Sequence, residues 1–118
     1  NQYFQTANYA DQAIEEFFSW LQESGVYENS IIVMYGDHYG VSNARNPVLG
    51  EDLFGIPQNE WSGYHDTQKQ RVPMMIHIPG SDSGKIIDKY TGQVDILPTL
   101  LHLLGINTDP YLFMGQDM

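Results

Sequence analysis

The sequence predicts an α/β fold, and three features of the chain carry that prediction. Residues 31–35 (I-I-V-M-Y) form an unbroken apolar run rich in β-branched side chains. Such a run is typical of a strand buried on both faces. A helix pattern precedes this strand at 7–24, and a second apolar run follows it at 74–78. Helix, short loop and buried strand together make half of a βαβ unit, so we expect a mainly parallel or mixed sheet.

The segment 7–24 has the spacing of a helix that covers a sheet. Its apolar side chains recur every three or four residues and form one stripe: Ala10, Ile14, Phe17, Phe18 and Leu21. Gly25 follows at the position where a left-handed residue commonly ends a helix. Asp11 lies among the polar residues of this helix, and we interpret it as a solvated carboxylate rather than a functional one.

Two further segments complete the predicted fold. The strand at 74–78 contains His77, which we interpret as a hydrogen-bonded structural residue because its neighbours are apolar. Residues 85–87 are predicted to form a short edge strand. The segment 91–105 predicts a Leu-rich helix with Asp95 as its N-cap and with an end at Gly105. His102 lies within that helix and is interpreted as structural.

Residues 41–70 lack sustained periodicity and are rich in Gly, Pro and Asn. A loop of that length is too long for a simple connection, so we interpret it as a wall or lid of an active site. Its cation, aromatic and imidazole side chains suit a pocket for a polar or anionic substrate: Arg45, Trp61, Tyr64 and His65. An alternative fits equally well, in which Trp61 and Tyr64 only attach the loop to the body of the domain.

Composition limits the possible functions. A chain of 118 residues fits one domain able to bury most of its apolar surface. Its formal charge of −10, with no Lys or Arg before Arg45, argues against nucleic-acid binding. The absence of Cys excludes disulfides and thiolate metal sites and leaves oxygen and imidazole ligands. No apolar stretch approaches the roughly 20 residues that span a bilayer.

A candidate metal site follows the first strand directly. Gly36, Asp37 and His38 stand at its carboxyl end, the edge at which open α/β sheets bind ligands. A carboxylate and an imidazole together suit manganese or zinc better than calcium. Two ligands cannot make a tight site, so we expect the chain to carry only part of one. The alternative is that the pair simply forms a turn after a strand.

Three motifs in order resemble one family. Y-G-D-H-Y-G at 35–40, V-P-M-M-I-H-I-P-G at 72–80 and G-Q-V-D-I-L-P-T-L-L-H-L-L-G-I at 92–106 look like the C-terminal part of the catalytic domain of the sulfatase/alkaline phosphatase superfamily. The resemblance implies a truncated, alkaline phosphatase-like three-layer sandwich. It makes 1–118 an incomplete segment of one domain, with 41–70 as a long active-site loop.

Within that superfamily, D-H-Y-G and the acidic helix before it resemble lipoteichoic acid synthases and related phosphoglycerol transferases. That resemblance implies transfer of glycerol phosphate from phosphatidylglycerol to a polyglycerolphosphate chain through a phosphothreonine. It implies Mn²⁺ as cofactor, with Mg²⁺ or Zn²⁺ as alternatives, and Asp37 and His38 as two of the ligands. It also implies a parent protein anchored by upstream membrane helices, with its catalytic domain on the extracellular face of the bacterial membrane.

The chain departs from that family pattern in one important respect. None of its threonines, at positions 6, 67, 91, 99 and 108, lies at a strand-to-helix junction where the nucleophile belongs. We therefore expect the fragment alone to be inactive. The family's substrate-gripping Trp, Arg and His also lie upstream, so His65 and Arg71 are only secondary candidates for substrate contacts.

Two other functions remain open from the sequence. The segment could belong to a sibling enzyme, such as a sulfatase, a phosphatase or a phosphoethanolamine transferase, which the upstream nucleophile would distinguish. It could instead be a non-catalytic binding or packing module that shares the fold.

Overall fold

The computed structural model of the chain describes residues 2–81 and 83–118. The chain divides into two compact units, Asn1–Ser83 and Gly84–Met118, where the sequence predicts one domain. The division falls within the predicted turn at 81–84, one residue of which, Asp82, lies outside the described residues. A polar, glycine-containing segment of this kind is a usual boundary between compact units.

Helix α1 spans Gln2–Glu23, so the predicted helix is confirmed and begins five residues earlier than expected. Gly25 has φ of 72°, which confirms the left-handed end. Only the C-terminal part of the apolar stripe is covered: Leu21 is buried, while Ile14 and Phe17 are 40% and 51% exposed. The expectation that the chain buries most of its apolar surface is therefore wrong, because few described residues lie over this helix.

Strands β1 (Ile32–Tyr35) and β2 (Met74–His77) form an antiparallel pair, with Ile32 opposite His77 and Tyr35 opposite Met74. Within the described residues this pair is the whole sheet, so its antiparallel direction fits the mixed sheet of the prediction and not the mainly parallel alternative. The reason is the connection 36–73, which turns the chain back on itself instead of crossing over. The prediction of a strand buried on both faces is wrong, since β1 is half-buried and Tyr35 is 48% exposed.

A series of aromatic contacts joins α1 to the strand pair. The rings of His77 and Tyr27 are stacked with centroids 3.8 Å apart, and Phe18 meets Tyr27 edge to face at 6.4 Å. The His77 Nε2–H donates to the backbone carbonyl of Tyr27 over 3.0 Å. This geometry confirms His77 as a structural residue, because its polar edge and its ring face are both used in packing.

The connection 36–73 contains regular structure that the sequence did not reveal. Helix α2 spans Asn46–Phe54 and helix α3 spans Gly63–Lys69, with short 3₁₀ turns before each. The prediction of an irregular segment is wrong at these helices. Helices of nine and seven residues have too few turns to show a periodic apolar pattern. The Gly and Pro residues at their boundaries are also the residues that are typical of loops.

The second unit, Gly84–Met118, contains a 3₁₀ turn at Gln93–Asp95 and helix α4 at Ile96–Leu103. This confirms the predicted Leu-rich helix in a shorter form, and Gly105 with φ of 67° lies just beyond its end. The predicted edge strand at 85–87 is wrong: these residues are irregular and Ile86 is 96% exposed.

Asp95 is the N-cap residue of α4, as predicted, but its side chain binds backbone groups outside that helix. Its carboxylate accepts hydrogen bonds from the backbone N–H groups of Gly92 (2.8 Å) and Gln116 (2.9 Å). The pKa of Asp95 is lowered by these two bonds, with Gly92 the larger cause. Thr99 donates its hydroxyl to the Asp95 carbonyl at 2.7 Å and accepts from the backbone N–H of Met118 at 3.1 Å. Asp95 and Thr99 therefore hold the closing segment, residues 106–118, against α4.

The exposed residue His102 contacts Asp117 of the same closing segment through its Nδ1. This contact agrees with the structural interpretation of His102. Among the described residues, no helix combines the length and the apolar character that crossing a membrane requires.

Substituting His77 tests the link between α1 and the strand pair. His77→Phe keeps the ring stack and removes the hydrogen bond to Tyr27, so we expect the free energy of unfolding to fall by about 1 kcal/mol. His77→Ala removes both contacts and should cost about 2 kcal/mol. Urea titration followed by circular dichroism measures both, with Tyr9→Ala, at a residue of α1 that is 74% exposed, as the surface control. An His77→Ala protein as stable as the control would show that this link does not hold the unit together.

Candidate metal centre

The candidate site begins where the strand pair ends. The backbone N–H of Gly36 donates to the carbonyl of Pro73 over 3.1 Å, so the pairing continues one residue beyond Tyr35. A Cβ added to Gly36 would lie 2.7 Å from the Cβ of Val72, a distance at which atoms clash. Glycine at position 36 therefore allows the backbones at the ends of the two strands to approach closely. Asp37 follows directly after this close contact.

Asp37 and His38 present a carboxylate and an imidazole toward each other. The Oδ1 of Asp37 lies 3.7 Å from the Nε2 of His38, and the two side chains are 84% and 74% exposed. The Nδ1–H of His38 donates to the backbone carbonyl of Tyr39 over 2.8 Å. A hydrogen bond from Nδ1 to a backbone carbonyl selects the tautomer whose Nε2 carries a lone pair. The imidazole is thus oriented with its donor atom toward the Asp37 carboxylate.

This donor pair fits part of a divalent metal site. Two ligand atoms each about 2.1 Å from one ion stand about 3 to 3.6 Å apart, close to the separation found here. An oxygen and a neutral nitrogen donor suit manganese or zinc. Residues 2–81 and 83–118 contain no cluster of three or more His, Asp or Glu side chains placed to hold a metal. The ligand roles of Asp37 and His38 stay a prediction.

Arg71 lies at the same end of the strand pair as Asp37. The Pro73 carbonyl that accepts from Gly36 is only two residues beyond Arg71, whereas Asp37 directly follows Gly36. The guanidinium of Arg71 also donates to the Gln68 side chain over 3.4 Å. The antiparallel register therefore brings the backbone of this predicted substrate-binding residue beside the candidate metal ligands, although the two positions are far apart in sequence.

His65 lies on α3 and has a structural contact of its own. The backbone N–H of Ser62 donates to its Nδ1 over 3.1 Å, which satisfies a group at the start of the helix. Its ring also packs on Trp61, with centroids 5.1 Å apart. These contacts give His65 a structural role at the start of α3, and its predicted role with substrate stays a prediction.

A polar cluster formed by Asn46, Trp61 and Asp66 holds α2 and α3 together, and the sequence analysis missed it. One oxygen of Asp66 accepts from the Asn46 amide and from the Trp61 indole N–H, both over 3.0 Å. Asn46 is only 1% exposed, and a Cβ added to Gly50 would lie 1.9 Å from the Trp61 ring. Trp61 thus stacks directly on the backbone of α2, which favours the structural interpretation of this residue.

Electrostatics in this polar cluster favour an ionised Asp66. The hydrogen bond from Asn46, then the bond from Trp61, and the charge of His65 lower the pKa of Asp66. Trp61 and Asp66 are close in sequence, so an aromatic residue followed by an acid at the start of a helix could have predicted their hydrogen bond. Asn46 comes twenty residues earlier, and nothing local marks it as a partner.

Three of the five threonines use their hydroxyls in ordinary backbone contacts. Thr6, Thr67 and Thr99 each donate the hydroxyl to the carbonyl four residues earlier, at 2.7 to 2.9 Å. Such bonds are common for Thr within helices and mark no nucleophile.

With this geometry described, the family of the chain can be assigned. The sulfatase family matches residues 1–106, and the chain belongs to that family. It is 48% identical over 116 residues to lipoteichoic acid synthase 2 of Bacillus subtilis (strain 168), covering 98% of this chain. It is 44% identical over 120 residues to lipoteichoic acid synthase of Staphylococcus aureus (strain USA300), again over 98% of this chain. The chain spans only 17% of the length of either relative.

A pH titration of stability tests the polar cluster. Because folding lowers the pKa of Asp66, its carboxylate stabilises the fold above the unfolded-state value of about 3.9, and this contribution is lost as the pH falls through the folded value. We expect Asp66→Asn to lower the melting temperature at pH 7 and to flatten its decline below about pH 4.

The matched control for that titration is Asp52→Asn, which alters an exposed carboxylate of α2 with no side-chain hydrogen bond in the described part of the chain. It should leave the melting profile between pH 3 and pH 7 nearly unchanged. Equal profiles for the two variants would contradict a stabilising role for Asp66.

Proposed function

We propose that this chain is the C-terminal segment of the catalytic domain of a metal-dependent phosphoglycerol transferase, which polymerises glycerol phosphate taken from phosphatidylglycerol. The observation that carries the proposal is the identity of 43–48% to lipoteichoic acid synthases and a lipoteichoic acid synthase-like protein over 98–100% of the chain. The approach of the Asp37 Oδ1 to the His38 Nε2, at 3.7 Å, further supports a metal-dependent reaction.

The side chains of this segment have distinct tasks in the proposed reaction. Asp37 supplies a negative oxygen donor, and the hydrogen bond from Nδ1 to Tyr39 keeps the Nε2 of His38 as a neutral donor. These two donors would hold part of the shell of a divalent ion, Mn²⁺ in our proposal, which would supply charge neutralisation at the phosphate and a lower pKa for the nucleophile. Arg71, at the same end of the strand pair, adds positive charge near the position of the phosphate.

The remaining ligands and the nucleophile are proposed to lie outside residues 1–118. A divalent ion of this kind needs at least four ligands, and Asp37 and His38 supply two. The threonine hydroxyls that the structure describes in helices are bound to backbone carbonyls. We therefore expect the isolated chain to bind Mn²⁺ weakly and to show no turnover.

Exposed apolar side chains support an incomplete domain. Phe17 and Trp20 stack on each other on α1, with ring centroids 6.2 Å apart, and both are more than half exposed. Contiguous exposed aromatic surface of this kind is typical of a face that packs against further protein. We propose that other parts of the same catalytic domain cover this face of α1.

The partners and location of the parent protein follow from the same proposal. Its substrates would be phosphatidylglycerol and the growing polyglycerolphosphate chain, at the extracellular face of a bacterial membrane. Membrane anchoring would come from segments outside this chain. A sibling hydrolase of the family would instead transfer the phosphoryl group to water. Detection of a glycerol-containing transfer product therefore distinguishes the two reactions.

Substitutions in the longer protein test the assignment of the ligands. Asp37→Ala and His38→Ala each remove one donor, so we expect Mn²⁺ affinity to fall by at least about a hundredfold and transfer activity to fall with it. Isothermal titration with Mn²⁺ measures the affinity, and release of diacylglycerol from phosphatidylglycerol measures the transfer.

Asp52→Ala is the control for loss of a carboxylate, and it should retain both properties. If the Asp37 and His38 variants retain Mn²⁺ binding and transfer, the metal assignment is wrong. If they lose Mn²⁺ binding while the unaltered protein hydrolyses phosphodiesters without transfer, the metal site stands and the reaction belongs to a sibling enzyme.

A further inference from the structure

Residues 84–94, at the start of the second unit, form a continuously exposed segment. Every residue in it is exposed, and 84–92 lie outside any helix or strand. Its large apolar side chains are open to solvent: Ile86 is 96% exposed, Ile87 71% and Tyr90 80%. Contiguous exposed apolar side chains of this kind mark a surface that meets another molecule.

The segment 84–94 also concentrates positive charge. Lys85 and Lys89 flank the two isoleucines and are the only Lys or Arg residues of the second unit. Within the segment they outnumber its one acidic residue, Asp88. The second unit has only three further acidic residues, and two of their carboxylates are engaged: Asp95 accepts from two backbone N–H groups, and Asp117 contacts an imidazole. Positive charge therefore prevails locally in a chain whose formal charge is −10.

The two lysines remain available to an external anion. Among the described residues neither of them forms an ion pair. The pKa of Asp95 is lowered first by the backbone N–H groups of Gly92 and Gln116, and the charge of Lys89 is the smallest cause. Backbone donors thus stabilise the Asp95 carboxylate, and Lys89 is needed little for that purpose. Long Lys side chains can lie along apolar neighbours while their ammonium groups reach outward.

The exposed aromatic face of α1 has the opposite charge environment. Phe17 and Trp20 follow Glu15 and Glu16 on that helix, and no Lys or Arg precedes Arg45 in the chain. An anionic surface would therefore repel α1, so its apolar face suits contact with protein. The segment 84–94 instead combines its apolar side chains with cations, which suits an anionic surface.

We propose that the segment 84–94 docks on an anionic lipid surface. Ile86, Ile87 and Tyr90 enter the headgroup region, where aliphatic side chains gain apolar contacts and Tyr is enriched. Lys85 and Lys89 pair with lipid phosphates, and each lysine near an anionic surface strengthens binding about fivefold. The inference stands on exposure and charge, and it rests on the proposed function only for the identity of the lipid, phosphatidylglycerol.

Vesicle co-sedimentation of the 118-residue chain tests the docking without any need for turnover. The probes are vesicles of phosphatidylglycerol and phosphatidylcholine in equal parts, compared with vesicles of phosphatidylcholine alone. We expect binding to the anionic vesicles only. Binding should weaken between 0.1 M and 1 M salt, because the Debye length falls from about 10 Å to about 3 Å. Absence of binding to anionic vesicles, or equal binding to both kinds of vesicle, would contradict the proposal.

Substitutions in the segment make the test specific. Lys85→Gln and Lys89→Gln should each weaken vesicle binding about fivefold, and the double variant about 25-fold. Ile86→Ser should weaken it several-fold with the same dependence on salt, because only apolar contact is lost. Leu112→Ser is the matched control, since Leu112 is fully exposed in the same unit and its nearest charged neighbour in sequence is Asp109. Equal losses for Ile86→Ser and Leu112→Ser, or unaltered binding by the double lysine variant, would overturn the docking segment.

Hydrogen exchange in the longer protein tests whether lipid or protein covers the segment. In nanodiscs of phosphatidylcholine the amides of 84–94 should exchange fast, and in nanodiscs that contain phosphatidylglycerol they should become protected. Protection in both kinds of nanodisc would show that other parts of the protein cover the segment, which would overturn the proposal.

Failure of the docking and failure of the proposed function give different results. Vesicle binding that depends on Lys85 and Lys89, in a longer protein that shows no transfer of glycerol phosphate, keeps the docking segment and removes the proposed function. Transfer activity in a protein whose vesicle binding ignores both lysines removes the docking segment and leaves the proposed function.

Discussion

The contact between Gly36 and Pro73 is the constraint on which the candidate site depends. It ends the antiparallel pairing of β1 with β2, and the lack of a side chain on Gly36 lets the two backbones meet beside Val72. Asp37 and His38 follow directly, so their position is set by backbone hydrogen bonds rather than by side-chain packing. The same register places Arg71 at this end of the pair. A site built on paired strands is held more precisely than one on an isolated loop.

A few specific contacts, rather than a large apolar core, hold the strand pair and the helices of the first unit in place. The stack of His77 on Tyr27 joins β2 to the turn after α1, and the polar cluster of Asn46, Trp61 and Asp66 joins α2 to α3. These contacts replace a large apolar core, which the described residues do not form. Since aromatic side chains of α1 remain exposed, this face is available to pack against further protein, as the proposal of an incomplete domain requires.

The sequence predicted the features that local patterns encode. The helix that became α1, both apolar strands and the Leu-rich helix at 96–103 were predicted from spacing and are confirmed. Asp37–His38 was predicted as a ligand pair because it is contiguous and follows a strand, and that role stays a prediction. The antiparallel direction of the pair was missed, because strand direction depends on the path of the 36–73 connection. Asn46 was missed for a similar reason: its partner Asp66 is twenty residues away, and no period or motif links them.

Paramagnetic broadening by Mn²⁺ tests most directly whether the end of the strand pair is a metal site. Even a weakly bound ion broadens nearby amide signals, so substoichiometric Mn²⁺ added to the ¹⁵N-labelled chain should first affect residues 36–39 and Val72. The acidic residues of α1, such as Glu15 and Glu16, should broaden only at higher concentration. Broadening that begins at α1, or is uniform across the acidic surface, would contradict a defined site at Asp37 and His38.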